Sequence, residues 1–99
     1  MTLENIKNIL TSNECRYTHF DQFRTMNCYT SETMFVDGCY VWVVKSYNTV
    51  VGIYDIDTDT MYELNKWSVT TSKQVTTVCH DYRIKNRVLI KDNTLKRYQ

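Results

Sequence analysis

From Met34 onward the chain alternates apolar runs with short polar breaks, and that rhythm is its clearest structural signal. Met34–Val36 is apolar, Asp37-Gly38 is a two-residue turn signal, and Cys39–Val44 is a run of β-favouring residues. Ser46-Tyr47-Asn48 interrupts before Thr49–Ile56, and Asp57-Thr58-Asp59 interrupts again before Met61–Leu64 and Trp67. The spacing predicts an antiparallel meander of three to four strands. Its central strands are apolar at both parities, so a covering layer is expected on each face. Gly52, inside a strand, marks a bulge or a close backbone approach.

Two other stretches carry helical spacing. Leu3, Ile6, Ile9 and Leu10 lie close to one helix face, with Thr2 placed to cap it and Glu4 in its first turn. Val75, Val78, Cys79 and Tyr82 fall at i, i+3, i+4 and i+7. Thr71 or Ser72 sits where a capping hydroxyl would accept a first-turn N–H. The junction therefore reads as a strand ending over Trp67–Val69, a cap over Thr70-Thr71-Ser72, and a covering helix near 72–82. Residues 13–33 are polar and poorly periodic, although Tyr17, Phe20 and Phe23 recur every three residues and allow a helical turn or two. Arg87–Lys91 and Thr94–Tyr98, separated by Asp92-Asn93, predict a small basic C-terminal hairpin. The expected fold is α+β, one domain over residues 1–99.

Composition narrows the picture. At 99 residues the chain is long enough for one modest core. With 42% apolar and 23% charged residues it is ordinary globular material. No apolar run approaches the roughly 20 residues of a membrane span. The start, MTLENIKNIL, lacks a basic segment followed by an apolar one, so a cytosolic protein with reduced cysteines is expected. The net charge of +1 hides an asymmetry: from Arg83 onward six bases face one acid, whereas residues 1–82 hold six bases and ten acids. Eight Tyr and two Trp are residue types favoured at protein interfaces.

Candidate chemistry is sparse. Cys79 and His80 are adjacent, but helical neighbours point about 100° apart and do not form a nucleophile–base pair. Asp55-Ile-Asp57-Thr-Asp59 resembles the start of a calcium loop, yet Thr60 stands where Gly is needed and Lys66 where Glu is needed. Cys15-x3-His19-x8-Cys28-x10-Cys39 offers three thiolates and an imidazole, the donor set of one structural zinc ion. Against it, no closely spaced C-x2-C pair is present, and buried reduced cysteines explain the same residues. Tyr47 and Trp67 are candidates for partner contact, together with the bases Lys73, Arg83, Lys85, Arg87, Lys96 and Arg97. Those bases would also serve phosphate contacts.

SYNTVVGIYD (46–55) and KWSVTTSKQ (66–74) together resemble a family of small uncharacterised proteins of phages and mobile elements of Gram-positive bacteria. Its members carry Ser-Tyr-x-Thr-x-Val-Ala on one strand and Ser-x-Thr-Thr-Ser-Lys-His at a strand-to-helix corner. The chain matches at Ser46, Tyr47, Thr49, Val51, Ser68, Thr70, Thr71, Ser72 and Lys73. It departs at Gly52 and Gln74, where the family more often has Ala and His. The resemblance spans residues 39–82 and implies no catalytic activity. It implies a phage-encoded protein acting in the bacterial cytoplasm, and by analogy of size and setting an anti-CRISPR inhibitor whose partner is the Cas9 ribonucleoprotein. Such a protein would hinder nucleic-acid loading or a conformational step. The rival expectation is a small nucleic-acid-binding accessory protein using the basic C-terminal segment.

Overall fold

In the computed structural model, which describes residues 1–12, 14–20 and 27–99, the first helix, α1 (Leu3–Thr11), starts from a reciprocal cap. The Thr2 hydroxyl accepts from the Asn5 N–H, and the Asn5 side chain accepts from the Thr2 N–H. Ile6, Ile9 and Leu10 form its buried stripe. Asn5 and Asn8 both donate to the Asp37 carboxylate, which ties the helix to a hairpin turn and holds that carboxyl below its ordinary pKa.

Seven strands follow among the described residues: β1 (Tyr17–His19), β2 (Cys28–Ser31), β3 (Met34–Val36), β4 (Cys39–Ser46), β5 (Thr49–Asp55), β6 (Thr60–Leu64) and β7 (Asn86–Ile90). They form one sheet in the order β1-β2-β4-β5-β6-β7, with β3 also paired to β4. All neighbours are antiparallel except β6 and β7, which run parallel. The meander of three to four strands is therefore corrected to a larger, mixed seven-stranded sheet. The polar segment read as a helical turn or two contributes β1, with Tyr17, Thr18 and His19 paired to Ser31, Thr30 and Tyr29; Phe23 lies outside the described residues.

β2 and β3 share one edge of β4 and differ in register by one residue. The break is sealed by a side chain: the Val43 N–H donates to the Ser31 hydroxyl at 2.8 Å. Asp37 and Gly38, at φ 51° and 78°, make the two-residue turn between β3 and β4. A register shift at Val44/Lys45 leaves an extra residue opposite in β5, next to Gly52. A Cβ on Gly52 would sit 3.0 Å from the Met61 sulfur, so a larger residue there requires that side chain to give by a few tenths of an ångström.

The second helix, α2 (Val69–Asp81), connects β6 to β7. Its cap is Ser68, whose hydroxyl accepts from the Thr71 N–H at 3.1 Å. Thr70, Thr71 and Ser72 are thus already helical, and the preceding strand ends at Leu64 rather than over Trp67–Val69. The helix closes with Arg83 at φ 54° and an Ile84 N–H donated to the Cys79 carbonyl. Because this helix crosses over, β7 returns parallel to β6. No C-terminal hairpin forms. Past Asp92, which caps Thr94, the chain makes a 3-10 turn over Asn93–Leu95. Gln99 then docks on β5, exchanging bonds with both backbone groups of Val50 and donating to the Leu64 carbonyl.

The two helices bury opposite faces. Ile6, Ile9 and Leu10 of α1 pack with Val41, Val43, Val50, Ile53, Leu64 and Leu95. Val75, Val78 and Cys79 of α2 pack with Cys28, Trp42, Val44, Val51 and Met61. Successive β4 residues alternate between these cores, as the two-residue strand period requires. Gln74, fully buried on α2, has neither Nε2 nor Oε1 bonded, and the buried Ser72 hydroxyl is likewise unbonded. Among the described residues no helix is long and apolar enough to cross a membrane.

Candidate functional site

The tip of the β4–β5 hairpin carries a bulky aromatic in a conformation that suits glycine. Tyr47 has φ 54° and is 64% exposed. A left-handed backbone costs an ordinary side chain roughly 1–2 kcal/mol, and the Tyr47 N–H donation to the Asn27 carbonyl at 2.7 Å helps fix it there. Clefts flank the ring on two sides. The larger, about 380 Å³, is lined by Tyr17, Asn27, Tyr29, Lys45, Tyr47 and Asn48. The smaller, about 170 Å³, is lined by Ser46, Tyr47, Thr49, Val51, Trp67 and Thr71.

Sheet register assembles the larger cleft. His19 is paired with Tyr29, and Tyr29 with Lys45, so the three share one face. The Lys45 ammonium lies 4.2 Å from the centre of the Tyr17 ring, a cation–π distance. His19 and Tyr29 meet edge to face at 5.4 Å. Burial, followed by the neighbouring Cys15, pushes the Tyr17 hydroxyl up to about 12, so it stays a neutral donor. Across the smaller cleft, Trp67 is 45% exposed, and Lys96 reaches over its ring at 5.5 Å. The whole forms a ridge of aromatic rings and two ammonium groups, open to solvent.

A third, basic cleft of about 640 Å³ lies between the end of α2 and β7, lined by Thr76, Cys79, His80, Arg83, Ile84 and Arg87. Arg87 donates to Glu63 at 3.2 Å and to Thr76 at 3.1 Å. Burial raises the Cys79 thiol pKa, which disfavours the nucleophilic thiolate.

The zinc expectation is overturned. Among the described residues no three His, Cys, Asp or Glu side chains come together to hold a metal ion. The reason lies in strand geometry. Cys28 packs in the α2-side core, whereas Cys39 packs against the α1-side core. Cys28 pairs with Ser46 at one end of β4, and Cys39 is the other end of that eight-residue strand, roughly 23 Å away at about 3.3 Å per residue. His19 turns to Tyr29 instead, and Cys15 neighbours Tyr17 and Ser31. Burial pushes Cys28 up to about 11, as befits a core thiol rather than a ligand.

Of the residues proposed for partner contact, Tyr47 and Trp67 line one cleft, and Lys96 joins them through Trp67. Arg83 and Arg87 line the basic cleft, and Lys85 lies between them in the chain. Arg97 stacks on Tyr98 at 5.0 Å. Lys73 sits exposed on α2, in none of these clefts. Sequence reasoning missed Tyr17, Tyr29, Lys45 and Asn48. Their only advance signal was the abundance of tyrosine, since cross-strand neighbours have no fixed spacing along a chain. No family model, curated protein or solved structure matches the chain.

Proposed function

We propose that the chain is a non-catalytic binding protein that presents the aromatic ridge around Tyr47 to a protein partner. The partner class follows from the resemblance at residues 46–55 and 66–74: a host defence nuclease complex, Cas9 with its guide RNA foremost. In this reading the protein acts in the host cytoplasm by covering a surface that must load nucleic acid or move. The single observation that supports it best is Tyr47 itself, an exposed ring held in a left-handed backbone between two clefts. Rigid tyrosine and tryptophan rings are among the side chains that dominate binding energy at protein interfaces.

The nucleic-acid reading is weaker on the same geometry. Arg87 is engaged by Glu63 and Thr76, while Lys96 and Arg97 lie against aromatic rings, so half of the basic segment is already occupied. The decisive experiment is co-purification with Cas9, with and without guide RNA, using Tyr47→Gly beside the wild type. Glycine relieves the backbone and deletes the ring. Stability is expected to rise by about 1 kcal/mol while binding falls about thirtyfold or more. Retained binding by Tyr47→Gly would remove the ridge from the interface. Affinity for DNA alone that falls steeply with salt would favour the rival reading.

A further inference from the structure

Among the described residues β7 ends the sheet with an unpaired edge, and its hydrogen-bond pattern fixes which groups are open. The Asn86 N–H donates to the Asp59 carbonyl, and the Ile90 carbonyl accepts from the Asn65 N–H. In a parallel ladder the groups alternate, so Asn86, Val88 and Ile90 bond inward to β6. The N–H and C=O of Arg87 and Leu89 therefore point away from the sheet. Asn86 to Leu89 are exposed, including Val88 at 43% and Leu89 at 44%. The strand lacks proline, so nothing in its backbone blocks a further partner. The opposite edge, β1, is only three residues long.

Side-chain parity adds chemistry. Arg87 and Leu89 pair with Met61 and Glu63 and face α2, where the basic cleft brings His80 and Arg83 alongside Arg87. Val88 and Ile90 pair with Tyr62 and Leu64 and face the other way. Lys85 and Lys91 flank the strand. Two nearby acids are engaged: Glu63 pairs with Arg87, so the charge offered to a partner rests on Arg83, Lys85 and Lys91, and Asp59 accepts the Tyr54 hydroxyl at 2.7 Å. A second copy is a poor occupant, because antiparallel pairing about Val88 would set Lys85 against Lys91.

From the open backbone and this charge pattern we infer that β7 accepts an extended acidic segment of a partner as an eighth strand, with carboxylates on the α2 side and apolar residues on the other. The recognition is strand addition, in which main-chain bonds give affinity and alternate side chains give selectivity. This surface is separate from the Tyr47 ridge and stands whether or not that ridge binds a nuclease.

The test uses the full chain with two fluorescent peptides, blocked Glu-Val-Glu-Val-Glu-Val-Glu and its Lys-for-Glu counterpart. The acidic peptide is expected to bind at least about tenfold more tightly, and to slow amide exchange at Arg87 and Leu89 while leaving Val88 and Ile90 unchanged. Leu89→Pro removes an outward N–H without touching the ladder to β6 and should abolish binding. The double variant Lys85→Glu/Lys91→Glu, altered only outside the strand, should weaken it about tenfold. Equal affinity for both peptides, or binding without protection of those two amides, would overturn the inference. So would protection that depends on protein concentration alone, which would make the occupant a second copy. A single-stranded oligonucleotide that displaces the peptide without protecting the amides would make the surface a phosphate site instead.

Discussion

The two faces of the sheet are built from different materials. Against α1 the core is aliphatic and sealed: Ile6, Ile9, Val41, Val43, Val50, Ile53, Leu64 and Leu95 have no exposed surface. The polar groups at its margin are bonded to one another. Asn65, at φ 55°, donates to the Asp92 carbonyl and to Gln99, and accepts from the Asp92 N–H. Against α2 the core mixes aromatic rings with sulfur and methyl groups: Phe20, Trp42, Met61, Cys28 and Cys79. Gln74 is buried among them with its amide unbonded. The rings of Trp42, Tyr54 and Tyr82 continue that core toward the surface. Both cores are closed to solvent, and what separates them is the unbonded amide of Gln74 on the α2 side against bonded polar groups on the α1 side.

Substitution should separate the faces in a definite order. Ile9→Ala opens a cavity in the sealed core and should cost about 3 kcal/mol, read as a lower urea midpoint with unchanged slope. Gln99→Ala leaves the Val50 and Leu64 carbonyls without that donor; a loss of about 2 kcal/mol is expected. Gln74→Met should act in the opposite sense. Removing a buried, unbonded amide at similar volume should stabilise by about 1 kcal/mol, raising the melting temperature by roughly 4–8 °C. A loss instead would show that the amide has a partner and that the faces are more alike than described.

The last effect is confined to alkaline solution. Burial raises the Cys28 pKa from 9.0 to about 11, so the folded state binds its proton more tightly than the unfolded chain does. That contribution is complete below pH 9.0 and is lost as pH rises through about 11. Cys28→Ala should flatten this part of the pH–stability curve measured by denaturant titration. The same burial predicts slow alkylation of Cys28 and Cys79 in the native state.

What could be read from the chain was what is local. The stripe of α1, its Thr2 cap and the Asp37-Gly38 turn each depend on residues within a few positions of one another. β1 and β2 were hidden because Tyr17–His19 and Cys28–Ser31 have ordinary polarity, and pairing across a loop leaves no periodic trace. The Asn86–Ile90 run reads the same whether it closes a hairpin or returns parallel, and only the α2 crossover decides between them. The start of α2 was misread because Trp67 and Val69 are β-favouring while several hydroxyls compete to cap; Ser68 takes that role. The zinc expectation failed for a related reason, since spacing along the chain does not reveal that Cys28 and Cys39 lie on opposite faces. For the site, Tyr47 and Trp67 were legible as conspicuous aromatics near turns, whereas Tyr17, Tyr29 and Lys45 are neighbours only across strands.

The α1-side core joins Ile6 to Leu95, residues from the earliest and latest turns of the chain. During synthesis α1 therefore emerges long before the leucine that completes its seat, and its apolar stripe must wait while every strand is made. A nascent chain stalled after α2 would lack Leu95 and leave Ile6, Ile9 and Leu10 within reach of chaperones.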